Sequence, residues 1–93
     1  MGESTLVRRN ADILSADVAE ETVVLDPSDW TYVGLNETAA RIWAALDEPR
    51  SVAEIIEALL RDYDVDRATC DREVTKFVGE MSDRGLLIVE PAA

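Results

Sequence analysis

The sequence predicts an α+β domain in which the strands come first and three helices follow. Three observations carry that reading. Residues 5 to 35 hold β-branched clusters, "TLV", "ETVVLD" and "WTYVGL", separated by polar stretches. From Asn36 onward the apolar spacing changes to a helical period. Punctuating residues fall at the joints, with Pro27, Pro49 and Gly85 each next to a change of pattern.

The elements follow in order. "ETVVLD" and "DWTYVGL" flank "PSD", a short turn in which Pro27 supplies its fixed φ. A hairpin is expected there, with strands near Thr22–Asp26 and Trp30–Gly34, and an earlier strand within Leu6–Val18. Asn36 is a good N-cap and Glu37 suits the positive end of a helix dipole. Ala39, Ile42, Trp43 and Leu46 then mark one helical face, and Pro49 ends that region. In "SVAE", Ser51 and Glu54 have capping-box spacing, ahead of an apolar stripe of Val52, Ile55, Ile56, Leu59, Leu60 and Tyr63. A third helix should begin after Asp66 and run to near Arg84, burying Cys70, Val74, Phe77, Val78 and Met81. Gly85 is a natural residue to end it. Leu86–Val89 then forms either a short strand or an extended tail.

Composition limits the chemistry. A chain of 93 residues fits one domain, and 47% hydrophobic with 31% charged residues is a globular balance. No apolar run approaches membrane-spanning length, and the start lacks the basic-then-apolar order of a secretory signal, so a cytoplasmic protein is expected. The net charge is -11, from 20 acidic and 9 basic residues. Such a field repels phosphate backbones and favours neutral or basic partners. There is no histidine, which removes the commonest general base and the commonest zinc ligand. The single cysteine, Cys70, has no partner for an internal disulfide, and a thiol nucleophile there would lack a histidine. No enzyme activity, metal or cofactor is expected.

One motif asks for a test. In "RDYDVDRATCDREV", Asp62, Asp64, Asp66 and Glu73 occupy positions 1, 3, 5 and 12 of a calcium-loop frame. Position 6, where glycine makes the sharp turn, is Arg67. Asp66 also reads as the cap of the third helix, which would make Glu73 helical and unable to wrap an ion. An acidic loop ending in a helix cap is the simpler reading. A DNA-binding winged helix would need a basic reading helix, yet Arg67, Arg72, Lys76 and Arg84 are interleaved with Asp71, Glu73, Glu80 and Asp83. An acyl carrier would be all-helical with a serine after an aspartate; none of Ser4, Ser15, Ser28, Ser51 or Ser82 follows one.

Several pieces in order carry a family resemblance. "VVLD" and "WTYVGLNETAARIWAAL" match a strand, Leu-Asn and helix pattern, with Leu35, Asn36, Ile42 and Trp43 at its marked positions. "SVAEIIEALLRDYDVD" matches a second helix and its loop, and "CDREVTKFVGEMSDRGLL" a third helix with a Gly-Leu ending. From about residue 13 to 89 the chain resembles the PqqD-like proteins of the RiPP recognition element family. The resemblance implies a winged-helix-like fold, an N-terminal three-stranded antiparallel sheet followed by three helices. It implies binding of a precursor leader peptide, added as a strand beside the third strand in a groove closed by the third helix. The bound precursor is then presented to a leader peptidase or other modifying enzyme. The "DYDVD…C…V…FV" segment most resembles the stand-alone members of lasso peptide pathways.

Elementary geometry fits that task. An edge strand offers unpaired N–H and C=O groups to an extended peptide. The expected peptide-binding residues are Trp30, Thr31, Tyr32 and Val33 on the edge strand, and Asp71, Val74, Thr75 and Val78 on the third helix. Thr31 and Tyr32 act mainly through backbone groups, while Val74 and Val78 straddle core and groove. An empty edge can also self-associate, which makes a homodimer a further expectation. The alternative is a winged-helix interaction or DNA-binding regulatory domain without a leader peptide.

Overall fold

A computed structural model describes residues 4–19 and 21–90. The early strand region holds two strands, β1 (Leu6–Arg9) and β2 (Leu14–Val18), in different sheets. Asn10 makes the break. Its side-chain oxygen accepts from the Asp12 N–H at 3.0 Å, an Asx turn, while its amide group donates to the Gly85 carbonyl at 2.9 Å. β2 continues into β3 (Glu21–Asp26) and β4 (Thr31–Leu35), an antiparallel meander in the order β2-β3-β4. Val24 pairs with Ser15 on one side and Val33 on the other.

Trp30 was expected to open the last of these strands but lies in the turn before it. Asp26 pairs with Thr31, leaving a four-residue loop, 27–30, in which Trp30 has φ +61°. Two aspartates shape that loop. Asp26 Oδ1 accepts from the Ser28 N–H at 2.9 Å, and Asp29 Oδ1 from the Thr31 N–H at 3.1 Å.

The helices are α1 (Glu37–Ala44), α2 (Val52–Asp62) and α3 (Arg67–Asp83), each with the cap that its sequence announces. Asn36 accepts from the Ala39 N–H, Ser51 and Glu54 form a complete capping box, and Asp66 accepts from the Thr69 N–H at 3.0 Å. Glu73 therefore sits well inside α3, as the cap reading of the acidic stretch requires. After the cap Arg84, Gly85 takes φ +76°. Its N–H donates to the Ser82 carbonyl and that of Leu86 to Met81, the paired bonds of a Schellman ending.

The last described residues form a strand, β6 (Leu87–Glu90), resolving the strand-or-tail alternative. It pairs with β1, whose other neighbour is the two-residue β5 (Arg50–Ser51). This second sheet joins the two ends of the described chain, with Val7 opposite Val89. The core runs from Val7 and Leu87 through Ile55, Ile56, Val74 and Val78 to Ile42, Val24 and Leu35. Arg9 stacks on Trp43, 4.7 Å from the ring centre, and donates to its carbonyl, tying β1 to the end of α1.

Ser51→Ala should lower the unfolding free energy by about 1 kcal/mol through loss of the cap. Gly85→Ala should cost about the same or more by forcing a Cβ onto a left-handed backbone. Urea denaturation measures both, and wild-type midpoints would contradict the assignments.

Candidate peptide-binding site

Among the described residues, β4 has a neighbour on one side only. Its other edge faces α3 across a hollow of about 220 Å³, and α1 forms the base. That is smaller than the roughly 300–1,000 Å³ of a small-molecule pocket, and its shape is a trough beside a strand. The floor is apolar and buried: Leu35 from β4, Ile42 from α1, Phe77 and Met81 from α3. The rim is polar and exposed, with Asn36 and Thr38 on one side and Glu73, Lys76, Glu80 and Arg84 on the other.

A second, smaller and more apolar hollow adjoins the first. Thr38, Ile42 and Glu73 belong to both. Its wall includes Tyr63, which stacks on Arg41 with the guanidinium 4.0 Å from the ring centre, together with Val65, Cys70 and Val74. Burial pushes the Cys70 thiol upward, with the Asp71 charge adding to the effect. The residue belongs to the core and is not poised as a thiolate.

The sequence-expected residues divide into four groups. Thr31, Tyr32 and Val33 lie on β4, but only the Val33 side chain packs inward and lines the trough. Tyr32 alternates onto the opposite face and is exposed, and Trp30, in the turn, is exposed as well. Val74 and Val78 are fully buried; neither lines the trough, and Val74 instead forms part of the wall of the second hollow. Asp71 and Thr75 share a hydrogen bond at 3.3 Å on an exposed face of α3, and neither lines the trough. A helical wheel explains this. Glu73, Lys76, Phe77, Glu80 and Arg84 lie on one flank of the buried stripe, and Asp71 and Thr75 lie on the other. The apolar period identifies the stripe, but nothing in it says which flank meets the sheet edge. The groove-facing Phe77 and Met81 were read as core, and Lys76 and Arg84 as part of a balanced charged face.

Fold and trough together define an α+β domain of winged-helix-like type, with an open edge strand set against a helix. The family described as "Coenzyme PQQ synthesis protein D (PqqD)" matches residues 21–87. The chain belongs to this family and is a PqqD-like RiPP recognition element. It is 32% identical over 79 residues to the PqqA binding protein of Rhodopseudomonas palustris strain TIE-1, covering 85% of this chain and 76% of that one. The protein of strain ATCC BAA-98 / CGA009 matches to the same extent. Among solved structures, TbiB1 in complex with the TbiA(beta) leader peptide is 32% identical with a TM-score of 0.76, covering 86% of this chain and 93% of that chain. Lasso peptide synthetase B1 complexed with the leader peptide is 28% identical, also at 0.76, covering 88% and 96%.

The hairpin before β4 gives a pH prediction. Hydrogen bonds from the Thr31 hydroxyl and N–H hold the Asp29 carboxyl below its ordinary value. A depressed folded value means that this contribution to stability is present above the unfolded value and lost as pH falls through the folded one. The Thr31 amide shift in an NMR titration should report a midpoint below the usual aspartate range; a midpoint at or above it contradicts the contact.

Proposed function

We propose that this protein is a non-catalytic adaptor, a single domain that works in the cytoplasm and binds the leader of a ribosomally made precursor peptide. The leader adds as a strand to the free edge of β4 and lies in the trough against α3. The adaptor then presents the precursor to a processing enzyme, a leader peptidase of a lasso pathway. The observation that supports this most is the open β4 edge over an apolar floor, in a chain of the same fold as two proteins solved with leader peptides.

The ladder suggests which groups receive the peptide. In a central strand, alternate residues bond to opposite neighbours. Val18 pairs with Glu21 at the hairpin end of β2 and β3. With two residues between them, such a pair is a hydrogen-bonded one, which directs Glu21, Val23 and Leu25 toward β2. Thr22, Val24 and Asp26 then bond to β4 through Leu35, Val33 and Thr31. Tyr32 and Gly34 are left with N–H and C=O groups directed at the free edge. Gly34 fits close approach of another backbone: a Cβ there would meet nothing within 4 Å, so packing inside the chain does not demand the glycine.

The groove supplies specificity. Strand side chains alternate, so every second leader residue points down to Leu35, Phe77 and Met81. Lys76 and Arg84 are cations on the rim of a protein whose net charge is -11. They suit a leader carboxylate, while Glu73 and Glu80 suit a basic residue beside it.

The test begins with a search for a short precursor gene beside this one; titration with its synthetic leader should show saturable binding at micromolar Kd or tighter, about -8 kcal/mol or stronger. Tyr32→Pro removes an edge donor without touching a bond to β3, and should weaken binding at least about tenfold in a folded protein. Absence of binding to that leader removes the proposal. Unchanged affinity in folded Tyr32→Pro moves the site off β4.

A further inference from the structure

The meander has a second side that the leader trough does not use. Leu14, Ala16 and Val18 of β2, Val23 and Leu25 of β3, and Tyr32 of β4 alternate onto the face turned away from α1. Leu14 and Val18 are each 58% exposed and Tyr32 is 73% exposed. Cross-strand pairing puts Leu14, Leu25 and Tyr32 in one row, about 10 Å across at the usual strand spacing. Trp30, 76% exposed, stands at the hairpin tip beside that row.

Trp30 is the informative member. It is held at φ +61°, a left-handed conformation that is strained for a bulky residue. Glycine or asparagine would fill that turn position with less strain. An indole that is both strained and mostly in water does nothing for this fold, and tryptophan is the side chain most enriched at binding hot spots.

Charge says what covers the face. No lysine or arginine lies between Asn10 and Arg41, the segment that builds the meander. Asp12, Asp17, Glu21, Asp26 and Asp29 do lie there, and Glu21 shares the apolar face opposite Val18. A second copy would set these carboxylates against their own kind, on a chain already at -11. The complementary surface has an apolar centre and a rim of lysine and arginine.

We infer that this outer face docks the enzyme that processes the captured peptide, through an apolar patch on that enzyme ringed by basic side chains. The inference rests on the adaptor reading above. Strand addition at β4 extends the same sheet by one strand, so an enzyme seated on this face lies directly beside the leader. Recognition of the leader and recognition of the enzyme then use opposite sides of one three-stranded sheet.

The test uses Leu14→Ser, Trp30→Gly and the double variant. The probe is the purified leader peptidase or modifying enzyme encoded with the precursor, titrated onto each protein saturated with synthetic leader. Trp30→Gly should melt no lower than wild type, because it relieves the left-handed strain. Leader affinity should stay within about twofold of wild type in all three, and enzyme affinity should fall at least about tenfold in the double variant. Enzyme association with the wild type should slow as salt rises, as expected for opposite charges at a rim. Unchanged enzyme affinity in the double variant overturns the inference, as does an enzyme that does not bind the wild-type complex. Loss of leader affinity in parallel assigns the face to the leader and overturns it too. Self-association of the wild type in sedimentation, abolished in the double variant, gives the face to a second copy and overturns it. A wild-type chain that binds no leader is the separate result that removes the adaptor reading itself.

Discussion

The position of α1 sets the geometry on which the site depends. This eight-residue helix packs against β3 and β4 on one side and against α2 and α3 on the other. Ile42 stands at its centre, buried, and forms part of the wall of both hollows. With α1 in place, β4 and α3 are held apart as facing walls with an apolar floor between them. Without it they would close on each other, and the β4 edge would be covered by the chain's own helix. Each end of the spacer is secured, by the Asn36 cap at its start and by Arg9 against Trp43 at its finish.

That arrangement gives the three-stranded meander two different faces. The inner face is core: Val24 and Leu35 are buried, and Val33 packs on them. The outer face carries apolar side chains in water beside carboxylates and no cations. An edge strand in this setting is a hazard as well as a tool, because any extended chain can pair with it. The acidic residues around the meander oppose pairing between copies while leaving the edge open to a peptide of suitable charge.

Much of the fold was legible because it is written locally. The caps at Asn36, Ser51 and Asp66 and the stop at Gly85 are short patterns with single physical causes, and each lies where the sequence placed it. The pairing of Leu6–Arg9 with Leu87–Glu90 was not legible, because its partners lie at opposite ends of the chain and nothing local encodes the match. Trp30 was read as a strand residue on the strength of β propensity. Two aspartate side chains bound to the loop backbone override that preference. On α3 the apolar period marks the buried stripe. Periodicity gives a stripe no left or right until the sheet is in place, and the flank that meets the sheet edge carries Lys76 and Arg84, while Asp71 and Thr75 lie on the other.

Pairing of a leader peptide with β4 is the contact from which the proposed function follows. Amide hydrogen exchange, followed residue by residue with and without leader, addresses it most directly. The Tyr32 and Gly34 amides should exchange freely in the unbound protein and become protected when leader is added, because their N–H groups then donate to the added strand. Rapid exchange at both positions in a leader-saturated sample, with new protection on β2 or nowhere in the meander, would contradict it.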